Sequence, residues 1–214
     1  MEIAAYFDHT ALKPSVTEQE IKQLCAEAQQ YGFASVCVPP FYVQTAKQTL
    51  AGTEVKVSTV VGFPLGYAPT VAKVEEIKRG IDEQVDEFDV VINIAAVKNG
   101  SWNRVKMDLD SVITACQMRG KVVKIIIETA LLTEDEIRQT CEICNELGPD
   151  FVKTSTGFNG GGATVEVVAL LRSLLKSEIK IKASGGIKDR TFAQQLIDAG
   201  ADRLGASSSV NIVS

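Results

Sequence analysis

Histidine occurs once in this chain of 214 residues, at His9. The five cysteines, Cys25, Cys37, Cys116, Cys141 and Cys144, include a single CxxC, formed by the last two. With no second CxxC and no other imidazole, a zinc site is not expected, and no metal ligand set is assigned. An odd count without regular spacing also excludes a disulfide framework and suits a reducing compartment, so the cytoplasm is expected. Long apolar runs are missing too. None reaches the ~18 residues that a membrane-spanning helix requires. The opening MEIAAYFDHT lacks the basic start and apolar stretch of a signal peptide. Positive charge is outnumbered, 22 Lys and Arg against 27 Asp and Glu, a net −5. That balance excludes a basic field for nucleic acid or an anionic membrane. A bound phosphate must therefore be held by a local site. No linker, low-complexity tract or charge block interrupts the chain, so residues 1–214 read as one domain.

What is present is alternation. Short apolar runs rich in β-branched residues, at 6–9, 35–38, 56–60, 88–92, 122–127, 151–154, 179–183 and 203–206, read as eight buried parallel strands. Between them lie amphipathic stretches with helix-start signals. Thr17 with Glu20, and Thr133 with Glu136, are capping boxes opening helices over 18–30 and 134–147. Further helices are expected over 41–50, 71–83, 102–118, 164–175 and 190–199. Gly32, Gly52, Gly120, Gly148 and Gly200 follow helices, where a left-handed residue is wanted. Eight strands interleaved with helices predict a single (β/α)₈ barrel, whose usual length is about 200–250 residues. An open doubly wound sheet is the alternative. Only residues 207–214 remain after the last strand, so the eighth helix is expected to be short or missing.

Active sites of such barrels lie at the C-terminal ends of the strands. Side-chain alternation indicates which groups face the lumen, because helices cover the outer face and keep it apolar. In the seventh strand Ile179 and Ile181 take the outer face, which turns Lys180 and Lys182 inward. In the fourth, Val90 and Ile92 go out while Asp89 and Asn93 go in. In the sixth, Val152 goes out and Lys153 goes in. Lys153 and Lys182, from adjacent strands, then share a cavity with Asp89. Desolvation and a neighbouring like charge both lower an amine pKa, and a neutral amine can attack a carbonyl to form a Schiff base. The aspartate can move protons. The competing reading makes Lys182 and Asp89 a structural ion pair. Lys124 and Glu128, of the same parity on strand five, show that some lumenal charges must be structural.

The loops after strands seven and eight carry Gly185-Gly186 and Gly205-Ala-Ser207-Ser208-Ser209. Barrels of this kind often bind phosphate there, on backbone N–H groups, hydroxyls and a helix N-terminus. Gly160-Gly-Gly162 reads as a flexible loop and matches no nucleotide fingerprint.

The segments Asp8-His-Thr-Ala-Leu-Lys-Pro14, Thr59-Val-Val-Gly-Phe-Pro-Leu-Gly66, Asp89-Val-Val-Ile-Asn93, Lys153-Thr-Ser-Thr-Gly-Phe158, Lys182-Ala-Ser-Gly-Gly-Ile187 and Gly205-Ala-Ser-Ser208 resemble, in order and almost end to end, those of the deoxyribose-phosphate aldolase family. The resemblance implies a class I aldolase without a cofactor. Its substrate would be 2-deoxy-D-ribose 5-phosphate, cleaved to acetaldehyde and D-glyceraldehyde 3-phosphate. It implies Lys153 as the Schiff-base lysine, Lys182 as the lysine that depresses its pKa, and Asp89 as the proton relay. It places phosphate contacts at Gly157, Gly185, Gly186, Ser207 and Ser208, with Asp8 and Thr10 near the substrate. Some relatives carry a lysine where this chain has Phe158, so no charged contact is expected at that position. A homo-oligomer, dimer or tetramer, is expected. The rivals are a barrel aldolase or isomerase for another sugar phosphate, and a non-catalytic sensor of a phosphorylated ligand.

Overall fold

The computed structural model describes residues 3–214. Eight parallel strands close on themselves in sequence order: β1 (Phe7–Thr10), β2 (Ser35–Val38), β3 (Lys56–Val61), β4 (Glu87–Val91), β5 (Val122–Ile126), β6 (Phe151–Lys153), β7 (Lys180–Ser184) and β8 (Arg203–Ala206). The ring shuts where β1 pairs β8, with Asp8 opposite Gly205. This is the (β/α)₈ barrel, not the open sheet. Around it run α1 (Glu18–Tyr31), α2 (Val43–Thr49), α3 (Thr70–Asp82), α4 (Ile94–Lys98), α5 (Trp102–Gln117), α6 (Glu134–Leu147), α7 (Val165–Leu174), α8 (Arg190–Asp198) and α9 (Ser209–Val213). The helix after β8 is short, five residues long.

The start signals act as their chemistry requires. Thr17 and Thr133 each accept from the N–H three residues on, and the partner glutamates reach back to the cap N–H. The helix expected over 71–83 starts one residue earlier, at Thr70. Pro69 is at the cap, and the Thr70 hydroxyl donates to Asp108. The helix expected over 41–50 begins as a 3-10 turn, Pro40–Tyr42, before α2. A further helix, α4, went unread, because five residues are too few to show a period. Asn93 caps it by accepting from Ala96 N–H at 3.0 Å. Strand parity therefore does not apply at Asn93: the chain has already left β4, and this side chain serves a helix and not the lumen.

Two shells result. The outer one packs strand residues such as Val36, Val90, Ile125, Val152 and Ile181 against Ile21, Ile77, Leu109, Ile137 and Leu171 of the helices. Full burial of each aliphatic side chain contributes about 1.5–3 kcal/mol. Cys141 and Cys144 belong to this shell. Both are buried free thiols on α6, and burial pushes Cys141 up to about 12, which makes it a packing residue and not a thiolate. The inner shell is different. Barrel lumens are usually filled by bulky branched residues. Here Asp8, Ser35, Ser58, Glu87, Asp89, Lys124, Lys153 and Lys182 are buried polar groups on the lumenal positions of seven strands.

Candidate active site at the C-terminal mouth of the barrel

Lys153 ends β6 and stands opposite Lys182 in the β6–β7 ladder. Lys153 Nζ donates to Asp89 Oδ2 at 2.7 Å, and Lys182 Nζ donates to the same oxygen at 2.7 Å. The other oxygen, Oδ1, accepts from Lys124 at 2.8 Å and from the Ser58 hydroxyl at 3.2 Å. Lys124 reaches on to Glu87 at 2.6 Å. Lys182 also pairs with Asp8, whose Oδ1 binds Arg203 at 2.5 Å. Arg203 is thus a part of the site that the sequence did not single out, and Lys124, expected only as a structural lumenal charge, joins it.

Charge counting orders this cluster. Asp8, Glu87 and Asp89 face Lys124, Lys153, Lys182 and Arg203. Three cations neutralise three carboxylates, so a fourth is surplus. Burial raises the cost of ionising Asp89, but Lys124, Lys153 and Lys182 outweigh it and hold the carboxyl well below its usual range. Burial would push Lys182 down, yet Asp8 and Asp89 keep its ammonium above the ordinary lysine value. Lys153 goes the other way: burial pushes it down, Asp89 pulls it back only partly, and Lys182 adds repulsion. Its pKa therefore lies below that of a free lysine. Both causes expected from the sequence, desolvation and the Lys182 charge, act here, and burial is the larger. Lys180 shares the lumenal face but sits at the opposite end, exposed, with its amine 5.6 Å from the Phe151 ring centroid.

Above the cluster opens a cavity of about 930 Å³. Lys153 lies on its wall, only 3% exposed. Thr10, Gly157, Gly185, Gly186, Ser207 and Ser208, all named from sequence, line it as well. Lys182 and Asp89 do not; they are fully buried directly beneath Lys153. Asp8 is also absent from the wall. Its place early in β1 puts it below the lysines, as their counter-ion. The Ser208 hydroxyl is engaged by the Ile187 carbonyl at 3.2 Å, leaving its backbone N–H as the group for an anion. Phe158 lines the cavity and packs edge-on against Phe63, with ring centroids 5.1 Å apart. Exposed Lys13 and Lys188 also line it, and the sequence reading had not named them.

The loop after β6 is fastened from one side. Glu128, fully buried just past β5, accepts from Thr156 N–H at 3.1 Å, from the Thr156 hydroxyl, and from Asn159 Nδ2 at 2.9 Å. Asn159 Nδ2 donates in addition to the Pro64 carbonyl at 3.2 Å, which ties in the loop after β3. Glu128 holds this position with φ of 53°, a left-handed conformation rare for a residue with a side chain.

A buried amine of lowered pKa on a cavity wall, backed by an ionised carboxylate, is equipped to form a Schiff base. Residues 3–212 match the family model described as DeoC/LacD family aldolase. The chain belongs to the DeoC/LacD aldolase family. Among curated members of that family, the deoxyribose-phosphate aldolase of Thermococcus gammatolerans is 50% identical over 100% of this chain and 96% of its own. That of Desulfitobacterium hafniense is 48% identical over 100% and 98%. The tetrameric deoxyribose phosphate aldolase of Aeropyrum pernix superposes with a TM-score of 0.92 at 32% identity, covering 99% of this chain and 89% of the other. Membership of the DeoC/LacD aldolases makes the protein a lyase on a barrel scaffold.

Proposed function

We propose that this chain reversibly cleaves 2-deoxy-D-ribose 5-phosphate into acetaldehyde and D-glyceraldehyde 3-phosphate through an imine at Lys153. The observation that carries the reading is the position of Lys153: buried, of lowered pKa, on the wall of the large cavity, 2.7 Å from Asp89 Oδ2. The neutral amine adds to the C1 carbonyl, and loss of water leaves a protonated imine. The C2–C3 electron pair then flows into the imine to give an enamine. The C3 hydroxyl surrenders its proton, C3 becomes a carbonyl, and glyceraldehyde 3-phosphate departs. Protonation of the enamine at C2 and hydrolysis of the imine release acetaldehyde and restore the amine. The imine is the electron sink, so the cycle calls for no metal and no cofactor. Asp89 Oδ2 touches both amines and is placed to carry protons between them. Lys182 keeps Lys153 from sharing fully in the Asp89 charge.

The phosphate would rest on Gly157, Gly185, Gly186, Ser207 and Ser208, whose backbone N–H groups and small side chains allow close approach. Lys13 and Lys188 on the same cavity would supply the positive charge that Phe158 cannot. Asp8 supports Lys182, and Thr10 faces the substrate. Residues 1–214 act in this reading as one catalytic barrel domain. The five free, buried cysteines suit a reducing cytoplasm. A homo-oligomer, dimer or tetramer, is part of the proposal, supported by the tetrameric Aeropyrum pernix relative and by the exposed Phe41, Met107 and Met118. No helix of the described residues is long and apolar enough to cross a membrane.

Borohydride reduction in the presence of deoxyribose 5-phosphate should fix an adduct on Lys153, located by peptide mass mapping. Lys153→Arg should abolish both adduct and turnover, because a guanidinium stays protonated. An adduct on Lys182, or none on any lysine, would overturn the assignment.

A further inference from the structure

We propose that Ser184 is a substrate-binding residue whose hydroxyl holds the sugar hydroxyl on the carbon next to the phosphate-bearing carbon. The proposal rests on the aldolase reading above and deepens it. Ser184 closes β7 two residues beyond Lys182, so alternation puts both side chains on the lumenal face. It is only 5% exposed, yet it forms part of the cavity wall. Its Oγ has no hydrogen-bond partner. A buried hydroxyl left in this state is costly and uncommon, and it points to a partner that arrives from outside the chain.

The backbone of Ser184 explains why the hydroxyl is free to serve a ligand. Its N–H donates to the Thr154 hydroxyl at 3.1 Å, and its carbonyl accepts from Ala163 N–H at 2.9 Å. The main chain is therefore fixed by two neighbouring segments while the buried hydroxyl is left without a partner. Across the ladder, Ser184 stands beside Gly205. A Cβ at Gly205 would come within 2.3 Å of Ser184 Oγ and 3.1 Å of Lys182 Cε. Glycine at 205 is what leaves space for this hydroxyl above the lysine stem.

The order of groups along the wall selects the substrate atom. Lys182 lies below, Ser184 next, and Gly185-Gly186 follow, with Lys153 across on β6. A substrate whose C1 is at Lys153 and whose phosphate is on the glycine and serine loops must pass Ser184 with its middle carbons. The C3 oxygen is consumed in the bond-breaking step. The C4 hydroxyl, beside the phosphate-bearing carbon, is the one that stays a hydroxyl throughout and lies nearest Gly185. Serine can donate to it and accept from it.

The test uses condensation, with acetaldehyde as donor and two acceptors: D-glyceraldehyde 3-phosphate, and 3-oxopropyl phosphate, which lacks only the corresponding hydroxyl. Ser184→Ala should lower kcat/KM for glyceraldehyde 3-phosphate by about three- to tenfold, the range of one neutral hydrogen bond. It should leave 3-oxopropyl phosphate unaffected, along with borohydride trapping of acetaldehyde on Lys153. An equal loss on both acceptors, or no loss on either, overturns the binding role. Failure of the unmodified enzyme to condense acetaldehyde with either acceptor would instead sink the aldolase reading itself, and the binding role with it.

Discussion

Lys153, Lys182 and Asp89 differ in what each contributes, and substitutions should separate them. Lys182→Leu removes the cation that serves Asp8 and Asp89. Lys153 is then no longer surplus and takes up the charge, so its pKa rises. Each unit of rise costs about 1.4 kcal/mol and leaves about tenfold less free amine well below the pKa. The limb of the pH–rate profile set by free amine should therefore shift to higher pH, with partial rescue in alkali. Asp89→Asn should do the reverse to the amine. Asp89 raises the Lys153 pKa, so without it Lys153 is more readily neutral. Turnover should still fall, since the proton carrier is gone, and alkali should not restore it. Two unchanged pH profiles with only lowered melting temperatures would make the pair structural.

Strands and loops show how far alternation reaches and where it stops. It put Lys153, Lys182 and Asp89 on one face from sequence alone, because the buried isoleucines and valines between them leave no other choice. It could not give height within the barrel. Lys180 and Lys182 share a face, yet one is exposed at the far end and the other fully buried. Strand tilt and stagger set that height, and neither is written in a two-residue period. Glu87 and Arg203 escaped notice for the same reason, and Asp8 was expected near the substrate and not as a counter-ion beneath: the three come from strands far apart in the chain. Glu128 was legible only as a lumenal charge. Its left-handed backbone costs about 1–2 kcal/mol. Hydrogen bonds to a charged group are worth about 1.5–3 kcal/mol each, so the bonds to Thr156 and Asn159 exceed the strain. Glu128→Gly should therefore destabilise the fold although it relieves φ. Glu128→Gln sets an amide N–H₂ among donors, and should raise KM for the sugar phosphate more than it lowers kcat. Hydrogen exchange should quicken in residues 154–163. A Glu128→Gly protein that melts higher than the parent would show that strain, and not the clamp, governs this loop.

The barrel as a whole has an acid-sensitive interior. Asp8 and Asp89 both have carboxyl pKa values held below the ordinary range, with burial opposing and the lysines and Arg203 prevailing at Asp8, and the lysines at Asp89. A carboxylate depressed in the folded state stabilises the fold above its unfolded pKa of about 3.9 and loses that contribution as pH falls below it. Melting temperature should accordingly be flat with respect to these groups above about pH 5 and fall steeply below about pH 4. Asp8→Asn should cost about 3–5 kcal/mol at neutral pH, because it takes one counter-ion from both Lys182 and Arg203 and leaves a second surplus cation in the lumen. It should also flatten the acid slope, as urea unfolding at several pH values would reveal. A variant as stable as the parent at neutral pH would mean that water reaches these cations. The lumen has a thermal consequence as well. Moving ions out of water becomes less unfavourable on heating, since their hydration carries a strongly negative entropy. An interior held together by Asp8, Glu87, Asp89, Lys124, Lys182 and Arg203 therefore loses part of its solvation penalty as temperature climbs, while the attraction between the charges persists. This core is least favourable in the cold and grows relatively firmer in hot water.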